Sequence, residues 1–331
     1  MAPNAVEDLW FPDGNVIIRA GDRLCRVYKG FLASQSTVLA DMFSIPQPDA
    51  METYDGIPVL MLPDPAEEVL HWLKSMLFPK YFETYPERIP FPKLLAVLRL
   101  SHKYDVQYLR QRALYSLSTE LPVSLADTLP LFGDNLRSTI DMGGRAPDNK
   151  LDFLLSAYPI VLEIGAVWLF PALMYRLHIC GSSPYMVDDK KASQIATVLS
   201  PQDVWRVWKV ACAVVRAFPA SMVAMWATGR QCTNRGCYGL EDDRLDAAYE
   251  ELLQDPFRFL GPADQITGDF HYGGDTLICN LCHDCYGAVR DTYRESCERL
   301  WQSLPNVLDL PDWQELRTMR DRDINGQTSG A

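Results

Sequence analysis

Cysteine residues are the side chains in this sequence whose type and spacing point most directly to chemistry. Residues 232–237 give a C-x4-C pair, and residues 279–285 give two overlapping C-x2-C steps. Zinc binds four thiolate or imidazole ligands in tetrahedral geometry, and two short knuckles from separate segments supply such a set. The spacing therefore predicts a structural zinc site whose ligands are Cys232, Cys237, Cys282 and Cys285.

The choice among neighbouring ligands depends on a predicted helix. Cys282 and Cys285 precede a helix expected to begin near Ala288, and a zinc knuckle often leads into a helix in this way. Cys279 and His283 are the alternative ligands. The competing interpretation is a group of thiols in a loop-rich region, because a C-x4-C pair is looser than a paired C-x2-C array.

Patterns typical of catalysis are absent from the sequence. The five histidines lie in no pattern that selects a cysteine partner. There is no G-x-x-x-x-G-K-[ST] loop for phosphates, no G-x-S-x-G elbow and no H-E-x-x-H helix. Adjacent acids such as Glu67-Glu68 are more typical of solvated helix starts than of a poised acid and base. We therefore predict that the protein is not an enzyme.

The composition restricts the class of partner. Hydrophobic residues make up 48% and charged residues 22% of the 331 residues, which is ordinary for a globular chain with a real core. A formal charge of -12 disfavours direct binding to nucleic acid or anionic lipid. The N-terminal residues carry acids where a secretory signal needs a basic start, and the odd count of nine cysteines suits reduced thiols or metal ligands. We expect a cytoplasmic or nuclear protein.

The elements of the first third are readable from local patterns. Two short apolar runs, residues 15–18 and 23–28, flank Gly21-Asp22 and predict a β-hairpin. A helix is predicted from Gly30 up to Pro46, and a strand over 57–62. The next helix runs to Leu77 with Asp64 as its N-cap, and residues 91–121 predict a helical hairpin.

The remainder of the chain is predicted to be mainly helical. A polar, glycine-bearing stretch over 122–150 predicts a linker between two domains. Residues 321–331 are predicted to be a disordered tail. Helical patterns cover residues 151–179, 201–218, 242–253 and 288–304 of the second domain, which spans 151–320. The predicted class is α+β, with a short sheet flanked by helices followed by a helical region.

Two stretches of the first domain resemble the BTB/POZ family. Residues 27–46, VYKGFLASQSTVLADMFSIP, are similar to the family's strand-to-helix stretch, in which a leucine-bearing helix with a serine leads to a "MF" pair. Residues 94–109 contain Ser101-His102-Lys103-Tyr104-Asp105 and Leu109, and they are similar to its "KY-D-x-x-x-L" element. Tyr28 stands where many members carry a histidine, so arguments that rest on that histidine do not transfer. The resemblance identifies residues 12–121 as a BTB/POZ domain.

The second half extends the resemblance less specifically. Residues 169–176 and 300–313 resemble the C-terminal part of BTB-domain proteins common in filamentous and mushroom-forming fungi. The family implies protein binding and a homodimer built on the first strand and first helix. Candidate interface residues are Val16, Ile18, Phe31, Leu32 and Met42, with packing inside the domain's own core as the alternative for each.

The resemblance also implies two classes of role. The first is an adaptor or scaffold that docks a cullin-type ubiquitin ligase, and the alternative is a transcription or chromatin regulator acting through protein contacts. A separate pattern involves two tryptophans. Trp205 and Trp208 lie near one helical stripe with several valines. Core packing is the default prediction for both tryptophans, and a groove for a partner is the alternative.

Overall fold

The computed structural model of the chain describes residues 4–45, 52–83, 88–128, 140–142, 147–182, 189–229, 271–272, 275–276 and 282–326. The protein is mixed α+β and mostly helical. It divides into two compact units, the first formed by residues 1–117, 139–143 and 322–331 and the second by residues 118–138 and 144–321. None of the helices in the described ranges is long and apolar enough to cross a membrane.

A five-stranded sheet forms the centre of the first unit. Its strands are β1 (Ala5–Trp10), β2 (Val16–Ala20), β3 (Arg23–Val27), β4 (Thr53–Tyr54) and β5 (Ile57–Leu62), in the order β1-β3-β2-β5-β4. The predicted hairpin is β2 and β3, which pair antiparallel around a turn where Gly21 adopts a φ of 56°. Glycine adopts this conformation readily because glycine has no Cβ. β2 also pairs parallel with β5, so the hairpin and the later strand share one sheet.

Strand β1 was not predicted from the sequence. Its pairing with β3 is parallel and contains a register shift, so its side chains do not alternate regularly. Val6 and Leu9 are buried, whereas Glu7 and Asp8 between them are exposed. The acids at the centre of the strand break the period-two pattern that sequence analysis relies on.

Helices surround the sheet of the first unit. They are α1 (Lys29–Gln35), α2 (Thr37–Ser44), α3 (Ala66–Leu77), α4 (Phe91–Lys103) and α5 (Gln107–Ser118). The single helix predicted after Gly30 is divided at Ser36, which ends α1 and caps α2. Two-residue strands β6 (Ile89–Pro90) and β7 (Ile140–Asp141) pair in parallel, so residue 140 of the predicted linker belongs to this unit.

Within the described ranges, the second unit is helical apart from one short strand pair. Its helices are α6 (Leu125–Thr128), α7 (Pro147–Glu163), α8 (Phe170–Ser182), α9 (Asp189–Val198), α10 (Pro201–Gly229) and α11 (His283–Val307). Strands β8 (His271–Tyr272) and β9 (Asp275–Thr276) form an antiparallel pair. A last helix, α12 (Trp313–Asn325), begins in this unit, and Trp313 stacks on Trp301 at 5.2 Å between ring centroids.

Several boundaries differ from the sequence prediction, and the helices predicted over 201–218 and 288–304 extend over Pro201–Gly229 and His283–Val307. The helix predicted over 151–179 is interrupted at Gly165, which has a φ of 67°, and a 3-10 turn over Val167–Leu169 precedes α8. α7 begins at Pro147, inside the predicted linker, because proline suits the first turn of a helix. α12 extends into the predicted tail as far as Asn325, where Arg110 pairs with Asp323 at 2.9 Å. The predicted helix over 242–253 lies outside the described residues.

Candidate functional site

The predicted zinc site is described only at its second knuckle. The helix predicted to begin near Ala288 begins at His283, so Cys285 does not precede it. Cys282 is the N-cap residue of α11, and Cys285 lies within the first turn with 7% of its surface exposed. His283 is fully exposed. Residues 232, 237 and 279 lie outside the described residues, so two of the four predicted ligands are placed. Positions i and i+3 of one helical turn are neighbours, which keeps the two thiols on one side of the helix end.

No larger metal-binding group accompanies these thiols within the described ranges. There, no three histidine, cysteine, aspartate or glutamate side chains come together closely enough to hold a metal ion. The described part of the knuckle therefore offers two sulfur ligands, which are half of a tetrahedral zinc set.

The predicted dimer residues divide into two groups. Val16, Ile18 and Leu32 are at most 2% exposed and pack in the core of the first unit. These three side chains therefore have no exposed surface that a partner could contact. Phe31 on α1 and Met42 on α2 are only half-buried, and these two retain apolar surface that a partner could cover.

Further apolar side chains lie next to Met42 in the sequence. Phe43 is half-buried, and the ammonium of Lys29 lies 5.4 Å from the centroid of its ring. Ile45, which follows α2, is 61% exposed. Together with Phe31 and Met42, these side chains define what we call the α1–α2 face, formed by Phe31, Met42, Phe43 and Ile45.

Ser36 fixes the position of α2. Its hydroxyl accepts a hydrogen bond from the backbone N–H of Leu39 at 3.0 Å, which caps the helix. The same hydroxyl donates to the backbone carbonyl of Tyr104 at 2.5 Å. Thr37 donates to the carboxylate of Asp105 at 2.6 Å. Two side chains at the start of α2 are therefore tied to the turn between α4 and α5.

A buried polar cluster lies around Asp64. The Asp64 side chain is 3% exposed, and it accepts hydrogen bonds from the Lys103 ammonium at 2.7 Å and from the Tyr104 hydroxyl at 2.6 Å. Arg99 lies 3.4 Å from the same carboxylate and 2.5 Å from Glu68. This cluster was not predicted from the sequence, because the residues that contact Asp64 lie 35 to 40 positions away from it along the chain.

The cluster also corrects the predicted role of Asp64. α3 begins at Ala66 with Pro65 in the N-cap position and no side-chain cap, so Asp64 does not cap the helix. Burial would raise the pKa of its carboxyl, but the hydrogen bonds from Lys103 and Tyr104 outweigh burial and hold the pKa below its ordinary value. Burial and the bond to Asp64 raise the pKa of Tyr104 above its usual range.

The tryptophan pair of α10 is exposed. Trp205 and Trp208 are 53% and 56% exposed, and their rings stack on each other with centroids 4.8 Å apart. The prediction that these two side chains fill the core is therefore wrong. The valines of the same helix at positions 210 and 214 are fully buried, so the core contact of α10 is made elsewhere on its circumference.

The chain matches no protein-family model, no curated protein and no solved structure.

Cys25 and His178 are buried titratable side chains, and His71 makes a local contact. Burial raises the pKa of the Cys25 thiol to about 12 and lowers the pKa of His178 to about 4, so the first stays protonated and the second neutral at pH 7. His71 Nδ1 lies 2.6 Å from the hydroxyl of Tyr81, which occupies the ring in a local contact. A thiol with so high a pKa is a poor nucleophile, and a histidine with so low a pKa is a weak base.

Proposed function

We propose that this chain is a non-catalytic protein-interaction module of the BTB/POZ type, which pairs with itself and serves as an adaptor or scaffold. The α1–α2 face is the observation that carries the proposal. Its four side chains are apolar and half-buried or exposed, and they lie on α1, on α2 and at the residue that follows α2. An apolar group of this kind on a structured surface is typical of a protein-binding site.

The residues that carry the family resemblance support the proposal through the contacts they make. Tyr104 and Asp105, from the "KY-D" element, accept hydrogen bonds from Ser36 and Thr37 at the start of α2. Lys103 and Tyr104 both bind Asp64. Residues from the two stretches that carry the resemblance therefore contact each other at the start of α2, and these contacts hold that helix in place.

A second copy of the chain is the proposed occupant of this face. A two-fold interface uses the same surface of both copies, so each apolar side chain can pack against its counterpart or against a neighbouring apolar side chain of the second copy. Of the five predicted interface residues, Val16, Ile18 and Leu32 are buried, so Phe31 and Met42 are the two that we propose as contact residues.

Met42→Glu is expected to convert the dimer into a monomer in light scattering at micromolar concentration. Burying a carboxylate at an apolar contact without a partner costs several kcal/mol, and a two-fold interface carries the substitution in both copies. Met61→Glu is the matched control, because Met61 is 59% exposed on β5 outside the α1–α2 face. A wild-type mass that stays monomeric at every concentration would contradict the proposal, as would equal masses for the two variants.

A cullin-type ubiquitin ligase is the protein partner to test first for the adaptor role. The test is affinity capture of the full chain from its native cell extract, with mass spectrometry of the proteins that accompany it. Recovery of a cullin with its ring partner, reduced by Met42→Glu and unchanged by Met61→Glu, supports a substrate adaptor built on the α1–α2 face. Recovery of a different stable partner without a cullin favours a scaffold.

We also propose that Cys282 and Cys285 belong to a structural zinc site. Wild-type protein purified without chelators is expected to carry about one zinc ion per chain in elemental analysis, as one four-ligand site requires. The double variant Cys282→Ser/Cys285→Ser should lose that zinc, since a hydroxyl is a far weaker zinc ligand than a thiolate. Cys212→Ser on α10 is the control that should retain it. Substoichiometric zinc in the wild type would remove the proposal.

A further inference from the structure

The outer side of α10 carries a stripe that the core does not explain. At 3.6 residues per turn, Val210 and Val214 project toward one side of the helix, and both are fully buried. Positions 205, 208, 209, 212 and 216 fall on the opposite side, because they recur at intervals of three and four residues. We call this set the α10 stripe, formed by Trp205, Trp208, Lys209, Cys212 and Arg216.

The two tryptophans give the α10 stripe its apolar character. Each has more than half of its surface exposed. A tryptophan buries about 150–250 Å² in a typical contact, so the pair leaves on the order of 200 Å² of aromatic surface in water. Tryptophan is the residue type most enriched among those that dominate binding energy at protein interfaces.

The charges of the α10 stripe are basic, in contrast to the chain as a whole. Over 201–217 the only acid is Asp203, which is 5% exposed and bound by Arg206 at 2.7 Å. Arg216 is exposed, with no carboxylate partner in the part of the chain that the structure describes. Lys209 binds Asp309 at 2.6 Å, and that carboxylate is 69% exposed. One carboxylate of a partner can therefore pair with Arg216 directly, and another can replace Asp309 as the partner of Lys209.

We infer that the α10 stripe binds an acidic, amphipathic peptide segment of a protein partner, whose apolar side covers Trp205 and Trp208 and whose carboxylates pair with Lys209 and Arg216. The stripe spans twelve residues from Trp205 to Arg216, which is about 16 Å along a helix. A partner helix of about three turns matches that length. The inference concerns the second unit and does not depend on the BTB/POZ assignment.

A short peptide fits these charges better than a membrane does. Charges on the chain more than about 8 Å away are screened at physiological ionic strength, so a bound peptide meets mainly the charges of the stripe and of Asp309 beside Lys209. An anionic bilayer is an extended surface that faces much more of a chain whose formal charge is -12. Helices that lie on membranes also carry many more lysines and arginines than the two found here.

The test is selection of a random 15-residue phage-displayed peptide library on the full chain. We expect the enriched peptides to carry net negative charge and apolar residues at helical spacing. Their affinity, measured by fluorescence anisotropy, should fall at least about tenfold for Trp205→Ala/Trp208→Ala. Leu162→Ala, which truncates an apolar side chain that is 49% exposed on α7, should leave the affinity unchanged. Arg216→Glu should weaken the acidic peptides and favour basic ones.

Several results would overturn the inference. These are an absence of enrichment, enrichment of basic or uncharged peptides, and equal affinity for the wild type and the double tryptophan variant. Binding to phosphatidylserine vesicles that requires both tryptophans would assign the stripe to a membrane instead. A light-scattering mass that falls in the double tryptophan variant would assign it to self-association. Because Met42→Glu should leave peptide binding intact, this inference and the proposed dimer can fail separately.

Discussion

Asp64→Ala is expected to lower the free energy of unfolding of the first unit by about 1–3 kcal/mol, the cost of leaving the buried hydroxyl of Tyr104 without its acceptor. The Asp64 carboxylate is 3% exposed and holds Lys103 at 2.7 Å and Tyr104 at 2.6 Å. Its removal leaves the Tyr104 hydroxyl buried without its acceptor and the Lys103 ammonium without its counter-charge. Urea denaturation of the full chain, followed by circular dichroism, measures the loss.

Asp8→Ala is the matched control for that measurement. Asp8 also pairs with a lysine, Lys74, at 2.6 Å, but its side chain is 58% exposed. An exposed pair contributes about 0–1 kcal/mol, because water solvates both charges when the pair is broken. Both variants therefore break a lysine–aspartate pair, and they differ in the burial of the carboxylate and in the additional bond from Tyr104. Equal losses for Asp64→Ala and Asp8→Ala would show that burial of the Asp64 cluster does not matter to stability.

The contribution of Asp64 should also depend on pH in a defined direction. The pKa of its carboxyl is lower in the folded chain than its unfolded value of about 3.9, because hydrogen bonds from Lys103 and Tyr104 outweigh burial. The stabilisation is therefore fully present above the unfolded pKa and is lost as pH falls through the folded pKa. Above about pH 5 the difference between the wild type and Asp64→Ala should be constant, and it should shrink below pH 4.

Local patterns were sufficient for the elements whose side chains follow one periodicity. The strand over 57–62 and the end of α3 at Leu77 match the prediction, because apolar runs between turn residues mark strands and helices directly. The hairpin was placed to within two residues, since Gly21 must occupy its turn. These features depend on neighbours in sequence, which is the information that a single chain carries most plainly.

Features that depend on distant contacts could not be predicted. Nothing near Asp64 in the sequence distinguishes an N-cap from a buried partner of Lys103, because that difference is made by a helix nearly forty positions later. The prediction that the tryptophans of α10 are buried was wrong for a related reason. Their type predicts burial, but only the position of Val210 and Val214 against the core shows which side of the helix faces outward. Helical phase relative to the neighbours decides that, and composition does not.

Arg176→Met is expected to cost the second unit about 3–5 kcal/mol in free energy of unfolding. Arg176 on α8 is 7% exposed, and its guanidinium donates both to the carboxylate of Glu120 at 2.9 Å and to its backbone carbonyl at 2.7 Å. Glu120 is fully buried, and its second carboxylate oxygen has no hydrogen-bond partner within the described structure. Truncating the arginine would leave that carboxylate buried with no counter-charge, so the loss should be large.

The double variant Glu120→Met/Arg176→Met separates the cost of an unpaired charge from the value of the pair. Replacing both members of a buried ion pair by apolar side chains of similar size is often neutral or stabilising by about 1–4 kcal/mol, because neither charge has to leave water. Here the Glu120 carbonyl would still lose its donor, which costs about 1–3 kcal/mol. The two effects nearly cancel, so the double variant should unfold within about 2 kcal/mol of the wild type. If it is as unstable as Arg176→Met alone, the pair itself stabilises this unit, and the penalty for a buried, uncompensated carboxylate is not the main cause of the loss.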